Sequence, residues 1–423
     1  MRKSLPVSSY RLRSRPASSS RLVNCFAEAL PPDAATPIAL MRAPGITPWT
    51  TVGTGPIYEM LSADDLLYVV SGTKLYSVTE NLAVTELGSI GAVSSIDMER
   101  NDIGVVVVNT PNAYTWTRST STFAQISDAD FTARGATDVE FADNYLLFVQ
   151  PNSGVFFGAD LGSLTSFDGL DFATAESSPD ILVGMKADHG QVVLAGKETM
   201  EIWENTGAPG FPFERAINGR LEIGCLNGKS LAKQDNSVFW LASDYTVRRL
   251  DGITPIRVSQ HGIEQSMHDM TISTARGFSY SQDGHLFYVL SFFEGTFIYD
   301  CTTKEWHERQ SFGYDYWRPQ SHAQCFGLEL VGDITSNKIG YLNPDAYDEW
   351  GDTQRMEWTY QPIYADGMRA FHNRLEVMAD VGVGLTTGQG SDPQLMLDYS
   401  DDGGVTFNSM PNRSLGAIGR YTD

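Results

Sequence analysis

Short runs of apolar, β-branched and aromatic residues recur along the middle of the chain, each followed by a turn and a second run of the same kind. LLYVVSGTKLYSV begins at Leu66, VVVVNTPNAYTW at Val105, YLLFVQPNSGVFF at Tyr145, QVVLAGKETMEIW at Gln191, SVFWLASDYTVRRL at Ser237 and HLFYVLSFFEGTFIYD at His285. Successive starts lie 39, 40, 46, 46 and 48 residues apart. A seventh, fainter unit, CFGLELVGDITSNKIGYL, begins at Cys325. Each unit predicts a buried strand, a turn carrying Gly, Pro, Asn or Asp, and a strand that often ends on an aromatic. One small sheet cannot bury both its faces, whereas sheets packed radially bury each other and leave only short edges. A spacing of about 40–48 residues is what a four-stranded propeller blade consumes. The pattern therefore predicts an all-β protein built on a six- or seven-bladed β-propeller, in preference to a sandwich array.

Two regions fall outside the repeat. Residues 1–45 lack clear periodicity, contain LPPDAATP, and predict an extended N-terminal arm. The propeller is assigned to 46–349. From 350 to 423 the runs RMEWTYQPIY, NRLEVMADVGVG and QLMLDYSDDGGVTF alternate in a new way. They predict a small C-terminal β-sandwich-like unit, with LTTGQGSDP as an exposed loop.

Composition supports strands and tight turns over helices: 39 glycines, 11% aromatics and 42% apolar residues against 19% charged. The net charge of −22 argues against a surface that grips phosphates. The charge is uneven, because residues 1–22 hold Arg2, Lys3, Arg11, Arg13, Arg15 and Arg21 and no acid. These six are the candidate partner-docking residues. An Arg- and Ser-rich, acid-poor start also has the look of a mitochondrial transit peptide. No apolar run approaches the roughly 20 residues of a membrane helix. Cys25, Cys225, Cys301 and Cys325 stand far apart, without zinc or disulfide spacing, and read as free, mostly buried thiols suited to a reducing compartment.

No constellation of an enzyme is visible. The seven histidines form neither H-E-x-x-H nor H-x-H, and the G-x-S-x-G, Walker A and dinucleotide fingerprints are missing. His261 and His268, with Glu264 between them, are a minor metal or acid–base candidate against a plain surface role. The run DGLDFATAESSPD, with Asp168, Asp171, Glu176 and Asp180, is either an active-site loop or an ordered connection whose side chains satisfy the backbone locally. YSDDGGVTF spells S-x-D-x-G-x-T-F through Ser400, Asp402, Gly404, Thr406 and Phe407, which resembles the Asp-box turn of sialidases. The turn has its own physics: Asp402 can accept backbone N–H bonds across a hairpin, and Gly403 and Gly404 can take positive φ. A sialidase repeats that turn and needs three arginines, a tyrosine and a glutamate around its substrate. Here the turn occurs once, beyond the repeats, without such motifs. The blades also lack the WD40 and kelch signatures.

Residues 9–45 resemble the opening of the tail hub, or nozzle, proteins of short-tailed bacteriophages, the packaged-DNA stabilisation family. Ser9, Tyr10, Arg13, Ser14, Arg21, Val23, Asn24, Phe26, Glu28, Pro44 and Gly45 carry that resemblance. DFATAESSPDILVGM, EIWENTGAPGFPFER and SLAKQDNSVFWL look like the family's blade connections, so the resemblance runs to about residue 410. It implies a non-enzymatic virion protein without cofactor, assembled in the host cytoplasm. It implies a homo-hexameric ring below the head–tail adaptor that carries a distal tip, needle or fibre proteins. Genomic DNA would pass through without sequence-specific binding. The family usually continues past a segment like GAIGRYTD with a basic, Trp-containing strand, so the sequence ending at Asp423 implies either a missing last strand or a different closure. The alternative is a carbohydrate-active or receptor-binding propeller.

Overall fold

A computed structural model describes residues 5–14, 17–34, 36–175, 179–363, 371–372 and 374–421. Five four-stranded antiparallel sheets and two larger ones make seven blades in chain order. Blade 1 runs Ile57–Ala63, Leu66–Ser71, Lys74–Val78 and Val84–Ser89; blade 2 begins at Ile96–Arg100, blade 3 at Asp138–Ala142, blade 4 at Leu182–Asp188, blade 5 at Ala232–Gln234 and blade 6 at Arg276–Gln282. Blade 7 takes Pro319–Cys325, Leu328–Asp333 and Lys338–Asn343 from one end of the chain and its fourth strand, Gly45–Thr51, from the other. Its inner strand packs beside that of blade 1, so this shared sheet closes the ring. The faint seventh unit is thus a full blade. Its period is faint because a quarter of it lies some 290 residues upstream (Thr51 pairs with Lys338).

The repeats legible in the sequence are the second strands of the blades. Each has sheets packed on both faces, so it is apolar throughout: Val105, Val106, Val107 and Val108 are all fully buried. In six blades the hairpin from first to second strand is a two-residue turn with both residues at positive φ: Asp64–Asp65, Asp143–Asn144, His189–Gly190, Asp235–Asn236, Asp283–Gly284 and Phe326–Gly327. Such turns match the right-handed twist of the strands they join. Between blades the layers are aromatic. Phe131, Phe148, Phe157 and Phe167 meet between blades 2 and 3; Phe239, Tyr288, Tyr299 and Trp306 meet between blades 5 and 6.

The N-terminal segment is built into the propeller and does not extend from it. Tyr10–Arg11 pairs with Ser19–Val23, which adds in parallel to the outer strand Glu305–Arg309 of blade 6 and receives Glu357–Thr359 on its other side. Its side chains drive this: Leu22, Val23, Cys25 and Phe26 are buried. Cys25–Ala29 and Ile38–Arg42 form a hairpin whose connecting loop holds the Pro-rich stretch. All four cysteines are free and buried.

Past Thr359 the described residues form two short ladders, Gln394–Leu395 with Arg413–Ser414 and Asp398–Tyr399 with Asn408–Ser409. No second layer packs on them among the described residues, so the sandwich expected there is not seen. The alternating stretch Leu375–Leu385 leaves Leu375, Val377 and Val383 exposed, and apolar alternation alone makes no strand without a facing sheet.

Candidate functional site

The first strands of the blades surround the axis, and they carry charge where propeller strands are otherwise apolar. Blade 1 supplies Glu59, blade 2 Asp97 and Glu99, blade 3 Asp138 and Glu140, blade 4 Lys186, blade 6 Arg276, and blade 7 Gln320, Ser321 and His322. Lys229 comes from the short 3-10 turn Gly228–Ser230 just before blade 5. That turn is held by Asn227, whose side chain accepts from the Lys229 N–H. It can approach the axis only because residue 228 is glycine: a Cβ there would lie 1.9 Å from the Val183 carbonyl oxygen. The Tyr288 hydroxyl, fully buried, donates to the Ser230 carbonyl at 2.8 Å and fixes the turn from behind.

On the side of blades 2 to 5 the charges are matched. Lys229 Nζ sits 3.3 Å from Asp97 Oδ1 and 3.2 Å from Asp138 Oδ1, and Lys186 Nζ sits 2.7 Å from Glu140 Oε2. Asp97 also accepts from the Val139 N–H and Asp138 from the Met185 N–H, so the two carboxylates staple blades 2, 3 and 4 together. Burial pushes the Asp97 carboxyl up, but Lys229, the bond with Asp138 and Lys186 outweigh it and hold it at about 2. Burial and then the Asp97 charge drive Asp138 well above the usual carboxylate range, against the pull of Lys229. Burial, with the charge of Glu140 behind it, lifts Glu99 to about 7. Burial pulls both lysines down, yet the surrounding carboxylates win and raise them.

On the side of blades 1, 6 and 7 the match is loose. Arg276 Nη1 is 4.0 Å from Glu59 Oε2, at the limit of an ion pair. Burial raises Glu59, with Arg276 opposing. Gln320 is 4% exposed and neither its amide nitrogen nor its amide oxygen has a partner; the Ser321 hydroxyl, 2% exposed, has none either. Glu59, Arg276, Gln320 and Ser321 border a cavity of about 130 Å³ that Asp97, Asp138 and Lys229 also line, but the unpartnered atoms of Gln320 and Ser321 are closed off from it.

The residues singled out from sequence lie elsewhere. Arg11 and Arg13 are exposed, whereas Arg21 is tied to Glu308 at 2.8 Å within blade 6; Arg2, Lys3 and Arg15 fall outside the described residues. Asp180 accepts from the N–H groups of Lys197, Glu198 and Thr199 and so shapes a turn of blade 4, while Asp168 accepts from the Leu170 N–H. Glu176 is outside the described residues. His261 rests on Glu264 at 3.1 Å, which Arg257 also grips, and His268 lies apart against Tyr245. Asp402 accepts from Val405 and Thr406 N–H and from the Thr406 hydroxyl at 2.6 Å, with Gly403 and Gly404 at φ 76° and 85°. It closes a hairpin.

The axial cluster was not among the candidates. Its signal in the sequence is acid or base at alternate positions of SIDMER, TDVEFA and VGMKAD, each just ahead of a strong apolar run.

With this geometry in view, comparison with known families gives a match to the model described as bacteriophage P22 Gp10, beta-propeller, over residues 18–347. The chain belongs to the bacteriophage P22 Gp10 beta-propeller family. The matched stretch takes in all seven blades and the N-terminal strand on blade 6, and it makes this a phage structural protein and a component of the virion. No curated protein matches the chain. Among solved structures, a computationally designed protein, Ika8, is 13% identical over 70% of this chain and 100% of its own, with a TM-score of 0.44. The WD40 domain of Neurospora crassa Pan2 is 11% identical over 73% and 98%, at 0.48, and a streptogramin B lyase 9% identical over 70% and 96%, at 0.47. Likeness at these values supports no statement about this chain.

Proposed function

We propose that this protein is a hub, or nozzle, of a short phage tail: six copies in a ring below the head–tail adaptor, continuing the DNA channel and carrying the distal tail proteins. The family match over residues 18–347 is the observation that carries this reading. The net charge of −22 supports it, because an acidic wall repels the DNA backbone and lets it slide, leaving retention to a physical gate. The role is mechanical and non-enzymatic, and assembly takes place in the host cytoplasm. Arg11, exposed on a strand anchored at blade 6, and Arg13, exposed in the bend just after it, are suited to docking on an acidic neighbour. Electron microscopy of the assembled particle tests the ring: six copies under an adaptor ring are expected, and a different position or copy number refutes it. Removing residues 2–21 would also strip three of the five residues of Ser19–Val23 from blade 6. The arm is therefore better tested by Arg11→Glu with Arg13→Glu, which should abolish attachment while leaving the melting temperature unchanged. Normal attachment of that variant removes the arm from the docking surface.

A further inference from the structure

Large apolar side chains exposed on the propeller are scattered, whereas past residue 370 they crowd together. A soluble chain rarely shows such a patch unless something covers it. Residues 374–381 carry Leu375, Val377, Ala379 and Val381 at every second position, the pattern of a strand with one apolar face. All four are exposed, and among the described residues no main-chain group of 374–381 bonds to another. The segment is written as a strand, yet its own copy gives it neither an edge to pair with nor a layer to face. An edge of the matching kind follows in the sequence. Gln394–Leu395 pairs with Arg413–Ser414 and Asp398–Tyr399 with Asn408–Ser409, so Gln394–Tyr399 has a strand on one side only. Met396 and Tyr399 on it, and Phe407 and Met410 beside it, are exposed. Within one copy the Gly382 N–H donates to the Leu415 carbonyl at 3.0 Å. That bond pins the end of the segment to one strand of its own ladder and leaves the edge of the other strand for a neighbouring copy.

We propose that residues 374–381 of each copy add as a strand to the free edge of Gln394–Tyr399 in the next copy of the ring. This rests on the hub reading, because it needs neighbouring copies. The chain carries donor and acceptor both, so the contact repeats head to tail and leaves no open edge once the ring closes. From their exposed fractions, the apolar side chains of donor and acceptor offer on the order of 400 Å² each, and every copy makes the contact twice, which approaches the ~800 Å² per partner of a standard interface. Cross-linking in the assembled particle tests the exchange. Chains carrying Val377→Cys with Met396→Cys are treated with a short bis-maleimide, which bridges adjacent strands in any register, while the four native thiols are buried and do not compete. Covalent multimers up to the full ring are expected on a denaturing gel. Val377→Pro, which removes a ladder N–H, should cut incorporation into particles tenfold or more and leave the melting temperature of the free chain unchanged, since the segment holds nothing within one copy. A ring seen by microscopy that yields no interchain product, or normal incorporation of Val377→Pro, overturns this inference and leaves the hub reading standing. An interchain ladder ending at a number other than six keeps the strand exchange and refutes the six-copy hub. Absence of any ring overturns both.

Discussion

Glu349 holds the ring closed, and its removal should cost more than any single surface contact. The carboxylate is 1% exposed and accepts from Arg309 Nη2 at 3.1 Å, the Ser311 hydroxyl at 2.5 Å and the Trp317 Nε1 at 2.9 Å. These donors come from the end of blade 6 and the lead into blade 7, while Glu349 itself pairs in parallel with Ile46 of the closing strand. Arg309 is fully buried, and its remaining contacts are the Pro44 carbonyl at 2.9 Å and the Trp317 ring at 4.0 Å. Glu349→Ala leaves that guanidinium without a counter-charge, and breaking a buried pair from one side costs about 3–5 kcal/mol. At about 2.1 cal/mol/K per residue, 423 residues unfold with an entropy of ~0.9 kcal/mol/K, so a loss of ~4 kcal/mol lowers the melting temperature by about 4–5 °C. Calorimetry or circular dichroism reads this directly. The double variant Arg309→Met with Glu349→Leu should recover the part of the loss that comes from the unpaired guanidinium, while the Ser311 hydroxyl and the Trp317 Nε1 stay without an acceptor in both variants. A shift under 1 °C in Glu349→Ala, or a double variant as unstable as the single, would refute the reasoning.

Stability should fall as pH rises from 5 to 8. Glu99 is lifted from 4.5 to about 7 in the folded chain, so the fold binds a proton there that the unfolded chain has released, and the gain is lost as pH climbs through that window. The full shift corresponds to ~3 kcal/mol, but Glu99 is only half-buried and solvent screening reduces it to roughly 1–2. Glu99→Gln should flatten the pH profile of the melting temperature, and an unchanged slope counts against the burial of this group. Gly228→Ala should destabilise by about 1–3 kcal/mol and displace Lys229 from the axis, since its methyl would meet the Val183 carbonyl; wild-type stability would show that the turn can shift freely. Asp402→Ala should speed amide exchange at Val405 and Thr406 while leaving the propeller transition alone, because every bond Asp402 makes stays within its own turn. A lowered main transition would instead tie that hairpin to the blades.

The repeat and the all-β class were legible because each second strand is buried on both faces and writes an unbroken apolar run into the sequence. The positive-φ pairs that join first and second strands in six blades lie just ahead of those runs and were not read from the pattern, because the first strands are too mixed in polarity to mark a hairpin there. Local chemistry also settled Asp402, whose partners are all within a few residues. Three features depended on contacts between distant parts of the chain. The count of seven required Gly45–Thr51 to join a sheet that begins at Pro319, a pairing with no local signature. The N-terminal segment looked free because its apolar residues, Leu22, Val23 and Phe26, find their partners about 285 residues away on blade 6. The axial cluster was invisible because each blade contributes only one to three polar residues, unremarkable in its own strand. Closing seven sheets on one axis brings them within bonding distance, where burial and mutual charge give them properties that none has alone.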